Sequence, residues 1–229
     1  MAKGIFITGT GTDVGKTYVT ALVVKKLRSC GVDAGYYKAA LSGADEDNGV
    51  LIPGDAKYVC DIAGINANPS DCVSYIYKNA YSPHLAALIE GNPVESEVIR
   101  KDFDRSSEKY EYITVEGSGG IICPIRYDKK IMLEDIVKEL KLPTLLVADA
   151  GLGTINSVVL TVFYMLQHGM RVNGIIFNRF VDGDTIMEDN VKMVEEMTGI
   201  KVIAKVHKGD TELDIDADIL KGMYEEVQK

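Results

Sequence analysis

The stretch at residues 4–17, GIFITGTGTDVGKT, decides the fold. Residues 4–8 form an apolar run typical of a β-strand, and the residues after Lys16 have the apolar spacing of an amphipathic helix. Glycines between a strand and a helix let backbone N–H groups turn towards phosphate oxygens, and the helix N-terminus adds a favourable dipole. Lys16 supplies a positive charge for the outer phosphates, and the Thr17 hydroxyl is placed to coordinate Mg²⁺. The segment therefore predicts a phosphate-binding loop (P-loop) for a nucleoside triphosphate.

This loop departs by one residue from the usual G-x-x-x-x-G-K spacing. The first glycine of that pattern would stand at position 10, where the chain has Thr10, and Gly9 lies one residue earlier. The alternative interpretation is a glycine-rich turn followed by an ordinary surface lysine. The joint occurrence of strand, loop, Gly-Lys-Thr and helix favours phosphate binding.

Short apolar runs alternate with longer segments of helical period along the rest of the chain. This order predicts one α/β domain over residues 1–229, a P-loop NTPase with a mostly parallel central sheet and helices on both faces. The runs at 113–115 and 145–148 are almost continuously apolar, as in strands buried on both faces. The predicted strands are 4–8, 33–37, 112–116, 144–149, 172–178 and 201–206. The predicted helices are 16–29, 55–63, 83–90, 95–107, 133–140, 156–168, 185–198 and 216–227, and residues 42–54 form the longest loop.

The composition favours a small molecule as the partner. The formal net charge of −9 opposes broad adhesion to nucleic acid or to an anionic membrane. The chain has only three histidines and no serine in the G-x-S-x-G pattern of a nucleophile elbow, so a histidine-based hydrolase is poorly supported. The first residues lack the apolar region of a signal peptide and no run is long enough for a membrane span, so we expect a cytoplasmic protein.

Two carboxylates are candidates for holding the metal ion of a bound nucleotide. Glu116 ends the apolar run 112–115 and is followed by Gly117-Ser118-Gly119-Gly120, which is where a metal-binding carboxylate usually lies. Asp55 follows Pro53-Gly54 at the start of a predicted helix. Asp55 could equally be a plain helix N-cap, a common use of aspartate.

Several short segments stand in a specific order and spacing over most of the chain: GTGTDVGKT (9–17), Tyr37-Lys38, Ser42-Gly43, Gly54-Asp55-Ala56, Ser82-Pro83-His84, VEGSGG (115–120) and GLGTIN (151–156). Together they resemble the motifs of the dethiobiotin synthetases, the ATP-dependent carboxylases of biotin biosynthesis. The one-residue offset of the loop also matches the longer loop of that family.

The resemblance implies closure of a cyclic urea on 7,8-diaminopelargonate with CO₂ and ATP. The substrate amine takes up CO₂ as a carbamate, the carbamate oxygen attacks the γ-phosphate, and the second amine displaces phosphate from the mixed anhydride. Two anions must approach each other in this reaction, so a cluster of cations is needed between them. The implied catalytic residues are Lys16, Lys38, Thr12 and Asp13, with Lys38 following the second strand and facing the carbamate.

The resemblance also implies the remaining binding residues, a Mg²⁺ ion and a homodimer with the substrate carboxylate held across the interface. The implied metal ligands are Thr17, Asp55 and Glu116. The implied nucleotide contacts are Asp13, Val14, Gly15, Lys16, Thr17, Tyr18, Asp55, Glu116, Gly117, Ser118, Gly119 and Asn178. The implied substrate contacts are Ser42, Gly153, Thr154, Ile155 and Asn156, although residues 151–156 could also be a plain helix start capped by Thr154.

The chain departs from the family pattern at several positions. Asp13 stands where the family often has glutamate, Ala39 replaces the usual proline, and Arg179 follows Asn178 in place of an acidic residue. Lys205-Val206-His207 stands where the family has Ile-Pro near the nucleotide base, which leaves the preferred base open.

Two other classes share the predicted fold. A nucleotide-driven switch of the partition and cell-division ATPase type carries a second lysine five residues before the P-loop lysine, and this chain has Gly11 there. An ATP-dependent amidotransferase synthetase needs a glutaminase domain, for which 229 residues leave no room.

Overall fold

The computed structural model of the chain describes residues 1–228. Its strands are β1 (Lys3–Gly9), β2 (Ala34–Ser42), β3 (Asp45–Asp47), β4 (Val50–Ile52), β5 (Val73–Tyr77), β6 (Tyr112–Glu116), β7 (Pro124–Arg126), β8 (Ile131–Met132), β9 (Thr144–Asp149), β10 (Val172–Phe180), β11 (Val202–His207) and β12 (Glu225–Glu226). Its helices are α1 (Lys16–Ser29), α2 (Gly54–Ala63), α3 (Pro83–Glu90), α4 (Ser96–Ser107), α5 (Leu133–Leu140), α6 (Thr154–Gln167), α7 (Thr185–Thr198) and α8 (Ala217–Gly222), with a short 3₁₀ helix at Pro69–Cys72.

Eight strands form one central sheet in the order β11-β10-β9-β1-β6-β2-β5, with β12 paired beside β1. Every neighbouring pair along this order is parallel, and only β12 is antiparallel to its partner. The carboxyl ends of β1, β2 and β6 therefore meet at one edge of the sheet, where open α/β sheets bind ligands. The predicted fold is confirmed.

Helices cover both faces of the sheet because the central strands are apolar on both sides. In β1, Ile5 and Ile7 belong to the core beneath α1, α2 and α8. Phe6 points the other way, into the core beneath α3, α4, α5, α6 and α7. Within residues 1–228, every helix is too short or too polar to span a bilayer.

Some elements of the sheet and its loops differ from the predictions. β5 was missed: this edge strand pairs only with β2 and alternates buried with half-buried residues, so it lacks a continuous apolar run. The loop predicted at 42–54 contains the β3–β4 hairpin. Its turn residues Asn48 and Gly49 both have positive φ, at 50° and 81°, which suits a two-residue hairpin turn and needs no apolar period.

The last predicted helix was too long. α8 ends at Gly222, and the chain continues as β12, whose Glu225 and Glu226 lie opposite Gly4 and Lys3 of β1. The Tyr224 hydroxyl is 2.7 Å from Thr114 Oγ1 on β6, so this tail is part of the sheet and its core. The apolar residues near the C-terminus have helical spacing, but a contact with the first strand decides their conformation.

Candidate active site

The loop between β1 and α1 is held by a polar contact from another strand. The Asn178 side chain, at the carboxyl end of β10, donates a hydrogen bond to the Val14 carbonyl at 3.0 Å. Gly15 precedes α1 with a φ of 87°, and a Cβ at this position would lie 2.1 Å from Asn178 Nδ2. Only glycine therefore fits here, both for the backbone conformation and for the space beside Asn178.

Lys16 begins α1 and is largely buried, with 8% of its surface exposed. Its ammonium group donates to the Gly11 carbonyl at 2.9 Å, so the lysine folds back over its own loop. Burial lowers the pKa of Lys16, and the nearby charge of Glu116 opposes that shift. Lys16 therefore lies over the loop, and its contact with the outer phosphates stays a prediction.

Lys38 lies between two carboxylates at the carboxyl edge of the sheet. Its Nζ is 2.6 Å from Asp55 Oδ2 and 2.7 Å from Glu116 Oε1. Thr17 Oγ1 donates to the same Glu116 Oε1 at 2.8 Å. The structure therefore brings together the Lys38, Asp55, Glu116 and Thr17 that the sequence analysis selected.

The prediction that Lys38 follows the second strand was wrong. β2 continues to Ser42, and Lys38 lies within it, opposite Glu116 of the parallel neighbour β6. Only 4% of the Lys38 surface is exposed, which excludes a solvated surface lysine. Burial alone would lower the pKa of Lys38, but the charges of Glu116 and Asp55 outweigh burial and raise it. The two carboxylates therefore favour the charged form of the buried Lys38 side chain.

Asp55 is not the N-cap of α2. Pro53 holds that position, Asp55 lies inside the first turn, and its carboxylate pairs with Lys38. Thr17 Oγ1 bonds to Glu116 Oε1, and Asp55 and Glu116 share the Lys38 ammonium group, so the three side chains lie close together beside the P-loop. Their hydroxyl and carboxylate oxygens are hard ligands of the kind that Mg²⁺ prefers. The residues present therefore fit a nucleotide-bound Mg²⁺ ion.

A cavity of about 690 Å³ opens over this cluster. Ser42 faces the cavity, and its hydroxyl is buried without a hydrogen-bond partner. Ser118 is different, because its hydroxyl is already bonded to the Ala40 carbonyl at 2.6 Å. The lining residues are Thr12, Asp13, Gly15, Lys16, Thr17, Lys38, Leu41, Ser42, Asp55, Ala80, Tyr81, Ser82, Pro83, Glu116, Gly117, Ser118, Gly119 and Cys123.

A second cavity of similar volume, about 710 Å³, lies at the opposite edge of the sheet. It is bounded by residues 1–3 and 107–112 with Asp33 and Val227, and none of the residues of the P-loop reaches it. The predicted catalytic residues Thr12, Asp13, Lys16 and Lys38 all line the cavity above the P-loop and not this one.

The predicted substrate segment at residues 153–156 does not line that cavity within one chain. Gly153 is the N-cap of α6 with a φ of 87° and no side chain caps the helix, so Thr154 is not the cap. The Thr154 hydroxyl is buried without a partner, whereas Asn156 is exposed. Asn178, which the resemblance implies as a nucleotide contact, is likewise outside the cavity and is 4% exposed.

Two further side chains, which the sequence did not indicate as site residues, contact the site. Tyr36 donates a hydrogen bond from its hydroxyl to Glu116 Oε2 at 3.0 Å. Arg179, whose φ is 58°, reaches Asp149 Oδ2 and the Asp13 carbonyl, both at 2.7 Å. Arg179 could have been found as a departure from the family pattern, but a tyrosine inside an apolar strand has the pattern of an ordinary core residue.

Comparison with solved structures supports the fold. A ParA family ATPase from Chlorobium tepidum superposes with a TM-score of 0.57 at 14% identity, covering 96% of this chain and 88% of that one. A MinC:MinD cell division complex from Aquifex aeolicus superposes with a TM-score of 0.57 at 15% identity, covering 97% of this chain and 86% of that one. At such low identity these similarities concern the fold alone.

Sequence comparison is more specific. A family model described as an AAA domain matches residues 3–211. An ATP-dependent dethiobiotin synthetase BioD of Brachyspira hyodysenteriae is 54% identical, covering 93% of this chain and 96% of its own. Proteins of the same name from two strains of Clostridium botulinum are 51% and 52% identical over 98% and 99% of this chain. The motifs, the fold and these relatives agree, and the chain belongs to the family of ATP-dependent dethiobiotin synthetases.

Proposed function

We propose that this chain converts 7,8-diaminopelargonate, CO₂ and ATP into dethiobiotin, ADP and phosphate. Lys38 carries the proposal, because its buried ammonium group faces the same cavity as Lys16 and the carboxylates of Asp55 and Glu116. The reaction needs such a site, since a carbamate anion must approach the γ-phosphate of ATP. Family membership supplies the substrate class.

The reaction has three steps. One substrate amine adds to CO₂ and loses a proton, which gives a carbamate. A carbamate oxygen then attacks the γ-phosphorus, and the bond to ADP breaks. The second amine attacks the carbonyl carbon of the mixed anhydride, phosphate leaves, and the amine loses its proton as the urea ring closes.

Positioning and charge are the contributions of the chain. Lys16 holds the outer phosphates, and Lys38 presents a positive charge to the carbamate. Thr12 and Asp13 line the cavity beside Lys38, where the substrate amine and carbamate would lie. A Mg²⁺ ion held by Thr17, Asp55 and Glu116 would neutralise phosphate charge.

We also propose a homodimer with a shared substrate site. The exposed side of α6 carries Leu160, Phe163 and Leu166, and Leu152 precedes the helix with 87% of its surface exposed. An exposed apolar face of this kind typically marks an interface. This face is continuous with Gly153 and Asn156, so a partner chain packed here would bring the start of α6 near the active-site cavity of the other chain.

We propose that the enzyme acts in the cytoplasm, without nucleic acid or membrane.

Phosphate release from ATP tests the proposal, measured with and without 7,8-diaminopelargonate and bicarbonate. We expect release to depend on the diamine and to match dethiobiotin formed, detected by mass spectrometry. Lys38→Ala should lower turnover on the order of a hundredfold, because it removes charge that stabilises the transferring group.

Lys57→Ala is the matched control, since Lys57 is an exposed lysine that pairs with Asp61 on α2. Its turnover should stay close to that of the wild type. A rate of phosphate release that is the same with and without the diamine would contradict the proposed function and favour a switch ATPase. Near-normal turnover in Lys38→Ala would contradict only the role of that lysine.

A further inference from the structure

Glu116 is a fully buried carboxylate whose two oxygens have different partners. Oε1 accepts hydrogen bonds from Thr17 and Lys38 and faces the P-loop. Oε2 accepts from the Tyr36 hydroxyl at 3.0 Å. With 1% of Glu116 exposed, solvent cannot replace that donor.

The register of the sheet creates the Tyr36 contact. On β2, Tyr36 and Lys38 are two residues apart and so share one face. Tyr36 lies opposite Thr114 on β6, and Lys38 lies opposite Glu116. The tyrosine therefore reaches Glu116 along the diagonal of neighbouring strands, a distance that a long aromatic side chain can span.

The Tyr36 side chain is itself held in place by packing. Only 1% of Tyr36 is exposed, and its ring lies in the core beneath α1 and α2. Glu116 Oε2 is consequently fixed, and rotation of the carboxylate is restricted.

We infer that Tyr36 is a positioning residue, which holds Glu116 Oε2 so that Oε1 is presented to the metal ion of the bound nucleotide. The inference rests on the proposed function, because it assumes that a nucleotide with its metal ion binds at the P-loop. Donors that orient a metal-binding side chain typically contribute tenfold or more to metal affinity.

Tyr37 provides a matched control on the same strand. It is as buried as Tyr36, at 1% exposed, but it points into the opposite core. Its hydroxyl donates to the Ile99 carbonyl at 3.0 Å and lies 2.7 Å from Ser74 Oγ, with no contact to Glu116. Loss of either hydroxyl removes a buried hydrogen bond, but only the Tyr36 hydroxyl bonds to Glu116.

Mn²⁺ binding in the presence of ADP tests the inference without catalysis. Free Mn²⁺ is measured by electron paramagnetic resonance for the full-length wild type, Tyr36→Phe and Tyr37→Phe. We expect Mn²⁺ affinity to fall by roughly tenfold in Tyr36→Phe and to stay within about twofold in Tyr37→Phe, because only Tyr36 is attached to Glu116. Thermal denaturation of both variants checks that they are folded at the temperature of the binding measurement, so that a lower Mn²⁺ affinity does not result from unfolded protein.

A double-mutant cycle with Glu116→Gln separates positioning from a general structural effect. If Tyr36 acts through Glu116, Tyr36→Phe should weaken Mn²⁺ binding much less when Gln already stands at position 116. Equal affinity in the wild type and Tyr36→Phe, or equal losses in both tyrosine variants, would overturn the inference and leave the proposed function intact. If the wild-type protein binds no Mn²⁺ in the presence of ADP, both the inference about Tyr36 and the proposed function are contradicted.

Discussion

Gly15 is a single residue whose size and backbone conformation the P-loop requires. Gly15→Ala would place a methyl group 2.1 Å from Asn178 Nδ2, so the bond between Asn178 and the Val14 carbonyl could not persist. The left-handed conformation adds a cost of about 1–2 kcal/mol for any other residue. We expect ATP affinity, measured by isothermal titration calorimetry, to fall on the order of tenfold or more, which corresponds to about 1.4 kcal/mol.

Gly64→Ala is the control for this residue. Gly64 follows α2 with a φ of 66°, and nothing lies within 4 Å of the position its Cβ would take. Both variants should lower the melting temperature through the strained backbone, but only Gly15→Ala should weaken ATP binding. Equal ATP affinities in the two variants would contradict the role assigned to the contact with Asn178.

Two elements bring carboxylates to the metal site from different directions, one from the end of β6 and one from the first turn of α2. Glu116→Gln and Asp55→Asn should each raise the Mg²⁺ concentration for half-maximal activity by at least about tenfold, since even outer partners of metal ligands contribute that much. The effect should be larger at Glu116, whose side chain is 1% exposed, than at Asp55, at 41%. Water can partly replace the exposed carboxylate.

Asp61→Asn serves as the control for these elements. Asp61 is an exposed carboxylate on α2 whose partner is Lys57, so its Mg²⁺ titration should match that of the wild type. If the titrations of both Glu116→Gln and Asp55→Asn are also unchanged, neither residue belongs to the metal site.

At the scale of the whole molecule, the proposed dimer predicts that each active site combines two chains. Asn156→Asp should repel the substrate carboxylate, and Lys16→Ala should disable phosphoryl transfer in its own chain. One site of a mixed dimer would carry both lesions and the other neither. Mixing two nearly inactive homodimers should therefore restore up to about half of wild-type activity per mixed dimer, measured as dethiobiotin formed.

Subunit exchange must be verified in this experiment, for example by native mass spectrometry of chains with different tags. Activity per chain should also fall on dilution below the dimer dissociation constant, and saturating diamine should oppose that fall. Verified exchange without any return of activity would show that the site is not shared.

The sequence by itself determined six of the eight strands of the central sheet, the helices between them, the P-loop and the identity of the family. These features are readable because they are local: Gly15, Lys16 and Thr17 are contiguous, and apolar runs mark the buried strands. The short elements β5 and β12 were not predicted, because β5 is an edge strand and β12 exists only through its pairing with β1.

Only the tertiary structure decided how the charges of the site are arranged. Lys38 reaches Glu116 because β2 lies beside β6 in a particular register, although 78 positions separate the two residues in sequence. The same register brings the Tyr36 hydroxyl to the other oxygen of Glu116. Sequence patterns report spacing along one strand or helix, whereas burial, pairing and the resulting pKa shift of Lys38 depend on contacts between strands that are distant in the chain.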